Sequence, residues 1–309
     1  MRIASIDIGT NTFRILVCEL KGNDLRKVHV GRVITRLGGG FSKEKGLISP
    51  DAMERAISTL KNFADILEQY KVEKVRAVAT SVVREALNGH DFLERVKSET
   101  GIWAELISGE EEAKLTVRGV LRSVPKVSEY NLIFDVGGGS TEYVYVKDGL
   151  ILGLASTNLG VVHLAEFFLR HDIPSESELN LLSKHIEDTL LSQLSWASEY
   201  SVAGLSLIGT AGTPTTLAAI DMGMNNYDPD LVNGHVLKRD AVLRIFASLI
   251  KIPKGKRHGV AGLEKGREDV IIPGALIVLK TMEIFSKDRI IVSDGGLLEG
   301  VAFSIADRH

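Results

Sequence analysis

The stretch "LIFDVGGGSTEYVYV" (Leu132–Val146) sets three consecutive glycines between an aspartate and two hydroxyl residues, with an apolar strand before them. The aromatic and β-branched residues that follow read as a second strand. "IASIDIGTNTFRILV" (Ile3–Val17) has the same design: strand, aspartate, x-Gly, a short Gly/Thr/Asn loop, then another strand. The two aspartates, Asp7 and Asp135, lie 128 positions apart (135 minus 7). A period of that length is too long for a solenoid repeat and points to two domains of similar plan.

Bare backbone beside a carboxylate has a chemical use. Glycine lets a ligand approach the main chain closely, and successive N–H groups in such a loop converge on an anion. An aspartate at the mouth of the loop suits a hard cation, because Mg²⁺ takes one or two carboxylates together with phosphate oxygens. A tight hairpin alone needs only one or two glycines. Two matched loops facing each other would clamp one phosphate from both sides. The loops are neither of two familiar phosphate motifs. The dinucleotide fingerprint wants a sixth-position glycine where Glu142 stands, and no Gly-Lys-Ser/Thr is present for a P-loop.

Between and after the loops, strands and helices alternate, which implies mixed sheets with helices on their faces. Ser49 and Pro50 form a helix start, followed by apolar Met53, Ala56, Ile57, Leu60, Ala64 and Leu67 at helical spacing. Further strands are expected at Lys74–Thr80, "WAELIS", "LSLIG" and "RIIVSD", and helices at "DFLERVKSET", from Glu110 to about Val124, and over 175–200. A polar segment with Pro125, Arg122–Asn131, marks the expected boundary. It divides the chain into 1–124 and 125–309, with a C-terminal helix over about 297–309 able to pack back on the first part.

Composition bounds the function. The 309 residues are enough for two cores, and 44% apolar with 25% charged residues is ordinary for a soluble globular protein. A net charge of −3 argues against nucleic acid as a partner. The longest apolar run, 270–279, is too short to span a bilayer, which argues against a membrane. Cys18 is the only cysteine, and the chain opens on "MRIASIDIG" without a basic-then-apolar leader, so a reducing, cytoplasmic location is expected. None of the eight histidines shows metal-ligand spacing.

Several other segments carry candidate chemistry. "LISGEEEAKL" opens a helix with Glu110, Glu111 and Glu112, with Ser108 available as a cap. One of the three could deprotonate an attacking water, and consecutive positions fan out by about 100°, so only one would point into a cleft. The residues alone leave open which. "GTAGT" (Gly209, Thr210, Gly212) runs from a strand into a helix, whose N-terminus favours phosphate, and Asp294 with Gly295 and Gly296 marks a fourth junction. Arg14, Arg84 and Arg267 lie near these loops, and arginine suits bidentate phosphate recognition. Two basic loops, Arg32/Arg36/Lys43/Lys45 and Lys251/Lys254/Lys256/Arg257/His258, read either as solvated surface or as a track for a long phosphate chain.

Taken together, "DIGTNTFRILV", "ATSVVREALN", "ISGEEEAKL", "DVGGGSTE", "GTAGT", "REDVIIPG" and "VSDGGLLEG" resemble the exopolyphosphatase and guanosine pentaphosphate phosphohydrolase family in its short, two-domain form. The motifs keep family order over nearly the whole chain. The resemblance implies two duplicated actin-like α/β domains of the sugar-kinase superfamily with an interdomain cleft. It also implies hydrolysis of the terminal phosphate of inorganic polyphosphate, with guanosine penta- or tetraphosphate as further ligands. By the same resemblance Glu112 is the general base, and Asp7 and Asp135 bind Mg²⁺. The phosphate contacts it implies are Gly9, Thr10, Asn11, Thr12, Arg14 and Arg84, then Gly137, Gly138, Gly139, Ser140 and Thr141, and finally Gly209, Thr210, Gly212 and Arg267.

Departures from the family pattern are Lys114, where arginine is frequent, and Leu298, which replaces an arginine of the C-terminal element; the assignment near Asp294 and Gly296 is the loosest. The competing expectations are an actin-like ATPase or kinase, which would lack "ISGEEEA", and a noncatalytic alarmone sensor, which would have no use for Glu112. A homodimer is compatible with the sequence, which does not fix the oligomeric state.

Overall fold

The structure, a computed structural model, describes residues 1–21, 24–41, 46–124, 128–196 and 204–307. The chain divides into two units, Met1–Gly119 with Gly296–His309, and Val120–Gly295. The division runs through a helix rather than through the polar segment after it. The expected boundary residue Pro125 and the basic residues Lys43 and Lys45 lie outside the described residues.

The first unit begins with β1 (Arg2–Ile8), β2 (Thr12–Lys21) and β3 (Asp24–Ile34), then α1 (Pro50–Gln69) and β4 (Lys74–Ala79). It continues through α2 (Ser81–Glu85), α3 (Gly89–Thr100), β5 (Ala104–Leu106) and α4 (Gly109–Ser123). The second contains β6 (Tyr130–Val136), β7 (Thr141–Lys147), β8 (Leu150–Thr157), α5 (Val161–Phe168), α6 (Glu176–Gln193), β9 (Ser206–Thr210) and α7 (Gly212–Asp221). After these come α8 (Pro229–Val232), β10 (Val236–Lys238), α9 (Arg239–Leu249), α10 (Ile271–Ile284) and β11 (Arg289–Val292); the chain then returns to the first unit as α11 (Leu297–Ala306).

Both sheets share one topology. The first runs β3-β2-β1-β4-β5, and the second runs β8-β7-β6-β9-β11 with β10 added at its edge. In each, the first three strands are antiparallel and the next two join in parallel. Even the irregularities match: the register shifts at Val17/Cys18 in one sheet and at Tyr145/Val146 in the other, the same 128-residue offset (145 minus 17). A β-bulge bends its strand and adds local twist, so the two sheets are re-aimed at equivalent points. The fold is thus the duplicated α/β plan expected from the repeat.

Local sequence explains the elements. The Ser49 hydroxyl caps α1 by accepting from Ala52 N–H, and Pro50 takes the first helical position. Ala52, Met53, Ala56, Ile57, Leu60 and Phe63 form its buried stripe against the sheet. Losing such a cap costs about 1 kcal/mol. In α6 the expected start at Ser175 is a full capping box with Glu178. Burial opposes ionisation of that carboxyl, but hydrogen bonds from the Ser175 and Arg170 amides outweigh it and lower its pKa to about 2.

The basic loop expected around Arg32 is a strand. β3 is an edge strand, which tolerates Arg26, Lys27 and Arg32 among its valines because only one side pairs. α11 packs on the first sheet: Leu298, Ala302 and Ile305 bury against Ile3, Leu16 and Cys18, and the Ser5 hydroxyl donates to the Leu298 carbonyl. Leu298, which stands where the family pattern has arginine, is therefore a core residue. The crossing of α4 and α11 is close, since a Cβ on Gly300 would lie 1.8 Å from the Leu115 carbonyl oxygen. Among the described residues no helix is long and apolar enough to cross a membrane.

Candidate active site

In the first unit the candidate residues gather at the carboxyl ends of β1, β4 and β5, where ligands of open α/β sheets collect. Asp7 and Arg14 are direct cross-strand partners, and the guanidinium donates twice to one carboxylate oxygen, Nη2 at 2.7 Å and Nε at 3.0 Å. Arg32 is the next residue in the same row, opposite Arg14 on β3. The turn between the strands is held from behind. Thr35 and Arg36 N–H both donate to the Asn11 carbonyl, and Gly38 N–H to the Thr10 carbonyl at 2.8 Å. The amides of Thr10 and Asn11 keep no backbone acceptor among the described residues. Gly9 is required here, because a Cβ would stand 2.8 Å from the Thr12 carbonyl oxygen.

The first loop is tied to the arginine and the glutamate beyond it. The Thr10 hydroxyl accepts from Val82 N–H at 3.3 Å, at the start of α2, and α2 carries Arg84. Arg84 Nη1 donates to the Ile107 carbonyl at 2.8 Å and pairs with Glu112 Oε2 at 3.3 Å. The three glutamates of α4 separate as the helical fan requires. Glu110 points outward to Lys114, which holds its carboxyl below the usual range. Glu111 reaches Arg76, while its N–H is capped by the Ser108 hydroxyl. Only Glu112 turns inward, its side chain 11% exposed against 43% and 61% for Glu111 and Glu110.

In the second unit the matching turn is Gly137–Ser140. Gly137 N–H donates to the Ser140 carbonyl at 2.9 Å, the oxygen that a Cβ on Gly137 would meet at 2.9 Å. The amides of Val161 and Val162, at the start of α5, donate to the carbonyls of Gly137 and Gly138. With those carbonyls turned back, the amides of Gly138, Gly139 and Ser140 keep no backbone acceptor among the described residues. A run of such amides has the donors that an anion nest requires. The row beside the turn differs from the first unit's: opposite Asp135 stands Glu142, 2% exposed, and opposite Glu142 stands Ser156, which donates to it at 2.7 Å. Two neighbouring carboxylates suit a hard divalent cation.

A model of the Ppx/GppA phosphatase family matches residues 16–309. The chain belongs to that family. It is 31% identical to "Exopolyphosphatase 2" of Mycobacterium tuberculosis, covering 99% of this chain and 98% of the relative. It is 33% identical to a "Bifunctional 3-dehydroquinate synthase/phosphatase" of Fusobacterium nucleatum, of which the chain spans about half, 46%. The crystal structure of the Aquifex aeolicus Ppx/GppA family member superposes with a TM-score of 0.82 at 36% identity, over 100% of this chain and 98% of that one.

Within this Ppx/GppA chain, other candidate residues have defined places. Thr141 is fully buried and its hydroxyl donates to the Leu159 carbonyl at 2.6 Å, so its side chain serves the hairpin rather than offering a donor to phosphate. Gly209 leaves room for Phe134 and Pro214, and the Thr210 hydroxyl donates to the Gly295 carbonyl; both are packing positions. Ala211 takes φ 69° and ψ −169°, a conformation that costs about 1–3 kcal/mol. Gly212 lies under Arg267, whose guanidinium a Cβ there would strike at 2.1 Å, while Arg267 Nε donates to Glu264 at 2.6 Å. Asp294 accepts from the Tyr227 hydroxyl, and its N–H donates to Asn233.

Of the second basic segment, Lys251, Lys254, Lys256 and His258 are exposed. Arg257 is not: it is 2% exposed and bonded to main-chain carbonyls, which removes it from any surface track. The residue that sequence reading missed is Glu142. Its signal was present, since an offset of 128 from Arg14 lands on it.

Proposed function

We propose that the chain is an exopolyphosphatase that removes the terminal phosphate of inorganic polyphosphate in the cytoplasm, where its lone cysteine suits reducing conditions. The observation that carries this reading is Glu112, the one buried acid of three, beside Arg84. Glu112 takes a proton from water as the water oxygen bonds to the terminal phosphorus. The bridging P–O bond breaks, and its electron pair leaves with the shortened chain. The products are inorganic phosphate and a polyphosphate one unit shorter. The amides of Gly138, Gly139 and Ser140 bind phosphoryl oxygens, as do those of Thr10 and Asn11, while Arg14, Arg84 and Arg267 supply cations. A loose phosphoryl-transfer transition state is helped mainly by such positioning and charge. The oxygen donors of Asp135 and Glu142 fit Mg²⁺ and would hold it. When bound it neutralises charge on the phosphoryl oxygens. Asp7, with one oxygen engaged by Arg14, orients that arginine as well as being a second candidate ligand.

The terminal anhydride of guanosine pentaphosphate presents the same chemistry, so it and ATP belong in the same assay. Phosphate release from long polyphosphate should exceed release from either. Glu112→Gln should lower the rate by about 10²–10⁴ while polyphosphate binding persists, and Glu111→Gln should stay near wild type. A crippled Glu111→Gln beside an active Glu112→Gln would overturn the assignment of the base. Binding of guanosine tetraphosphate without hydrolysis of any of the three substrates would favour a sensor.

A further inference from the structure

Arg257 heads the fully buried large side chains of the described residues, yet it sits on a short 3₁₀ turn, Lys254–Gly259, amid exposed lysines. Its guanidinium meets carbonyls from three places in the second unit. Nε donates to Leu249 O at 3.2 Å and Ile252 O at 3.0 Å, at the end of α9. Nη2 donates to Asp172 O at 3.3 Å, just before α6. Nη1 makes the shortest bond, 2.7 Å, to Glu268 O. Among the described residues no carboxylate lies within ion-pair distance of it, so main-chain carbonyls, with the longer-range charges of Asp172 and Asp269, compensate a buried charge that is costly to keep. Surface exposure would avoid that cost, so burial here asks for a reason.

Glu268 is the residue after Arg267. The segment carrying both lies along α7. At one end Gly262, in the left-handed region at φ 85°, sits so close to the backbone of Ala219 and Ile220 that a Cβ would meet it at 2.3 Å. At the other end Arg267 lies on Gly212. Arg267 also holds the turn that leads into α10, its carbonyl accepting from the amides of Val270 and Ile271 at 3.2 and 3.1 Å. A guanidinium at the positive end of α7 gains nothing from that helix dipole, so the segment must be held there by other contacts. Glu264 bonds the Arg267 side chain. The main chain is bonded one residue further on, by Arg257.

We propose that Arg257 is a positioning residue: its bond to the Glu268 carbonyl fixes the backbone that presents Arg267 over Gly212. The functional half of this inference rests on Arg267 contacting phosphate; the structural half does not. The test combines exchange and kinetics. In Arg257→Met, amide hydrogen exchange at Val270 and Ile271 should quicken by at least about tenfold, while amides of β6 and β7 exchange at the wild-type rate. The polyphosphate KM should rise by about tenfold with kcat largely kept, because a binding cation is misplaced and the general base is untouched. Arg267→Ala should raise KM similarly, and adding Arg257→Met to it should raise KM no further.

Should Arg257→Met fold poorly, Arg257→Lys, which keeps the charge but not the planar fork, should show the same pattern at smaller size. Unchanged exchange at Val270 and Ile271 in both variants, or additive KM effects in the double variant, would overturn the proposal. Faster exchange together with a wild-type KM in Arg267→Ala would refute the phosphate role of Arg267 and leave the positioning intact.

Discussion

Two rows of side chains, one in each sheet, occupy the same place in the duplicated plan and carry opposite charge. In the first unit the row across β1, β2 and β3 is Asp7, Arg14, Arg32. In the second, across β6, β7 and β8, it is Asp135, Glu142, Ser156. On the other side of each aspartate, in the parallel neighbour, stand Val78 and Thr210. At full ionisation the first row sums to +1 and the second to −2. The backbone barely differs, since each aspartate is followed by x-Gly and a turn whose carbonyls are bonded from behind. In one unit the segment after β3, 35–38, does the backing, and in the other the first turn of α5 does it.

The difference teaches how a duplicated scaffold acquires unlike halves. Keeping the turn preserves the outward amides that an anion needs in both units. One cross-strand difference, arginine in the first unit and glutamate at the 128 offset in the second, reverses the charge beside the aspartate. The proposed roles of the rows, phosphate contact in one and cation contact in the other, follow that reversal. Like charges directly opposite on paired strands are destabilising, and Asp135 stands opposite Glu142 in register. An Asp–Arg pair at the same place carries no such cost.

The largest effect should come from breaking the anionic row. Asp135→Asn or Glu142→Gln should lower Mg²⁺-supported polyphosphate hydrolysis by about 10³-fold, the several kcal/mol that a cation supplies to a phosphoryl transition state. Phosphate release measured across a Mg²⁺ titration checks this, and full activity of the unmodified protein in excess chelator would refute the metal site. The cationic row should behave differently. Arg14→Met removes charge-assisted hydrogen bonds worth about 1.5–3 kcal/mol, so KM should rise about 10–100-fold while the Mg²⁺ midpoint stays put. A shifted midpoint in Arg14→Met would mean that Asp7 is itself a metal ligand, and the contrast between the rows would weaken.

Much of this was legible in the chain. The repeat announces two alike domains because the Asp-x-Gly turn is a local feature that geometry preserves, and the cap at Ser49 is a short-range signal. Cross-strand and tertiary relations were less visible. Glu142 was passed over because nothing local joins it to Asp135; only strand register does. β3 reads as a basic loop because none of its residues 25–34 is fully buried, Val30 and Val33 included, so no buried apolar alternation marks the strand. Arg257 reads as a surface cation beside Lys254 and Lys256, solvated or part of a phosphate track, since its burial depends on carbonyls from Asp172 to Glu268. Glu112 could be chosen by family resemblance but not by spacing, and it took the helix orientation to separate it from its two neighbours.

The smallest predicted effect tests what the two turns share. An added methyl at Gly9 would stand 2.8 Å from the Thr12 carbonyl oxygen, and one at Gly137 would stand 2.9 Å from that of Ser140. Neither glycine has positive φ, so no backbone strain enters and the cost is contact alone. Forcing such a contact typically costs about 1–3 kcal/mol. In units of this size each kcal/mol moves the melting temperature by about 2–4 °C. Gly9→Ala and Gly137→Ala should therefore lower Tm by similar amounts, each about 2–12 °C. The Mg²⁺ midpoint should stay put in Gly9→Ala, because that turn adjoins the cationic row. In Gly137→Ala it should rise, because Asp135 lies two residues away. Thermal scans of both variants, with and without Mg²⁺, separate backbone from charge. Matched Tm losses with unmatched Mg²⁺ responses are expected of one backbone carrying two chemistries; a tolerated Gly9→Ala beside a crippling Gly137→Ala would show that the turns themselves have diverged.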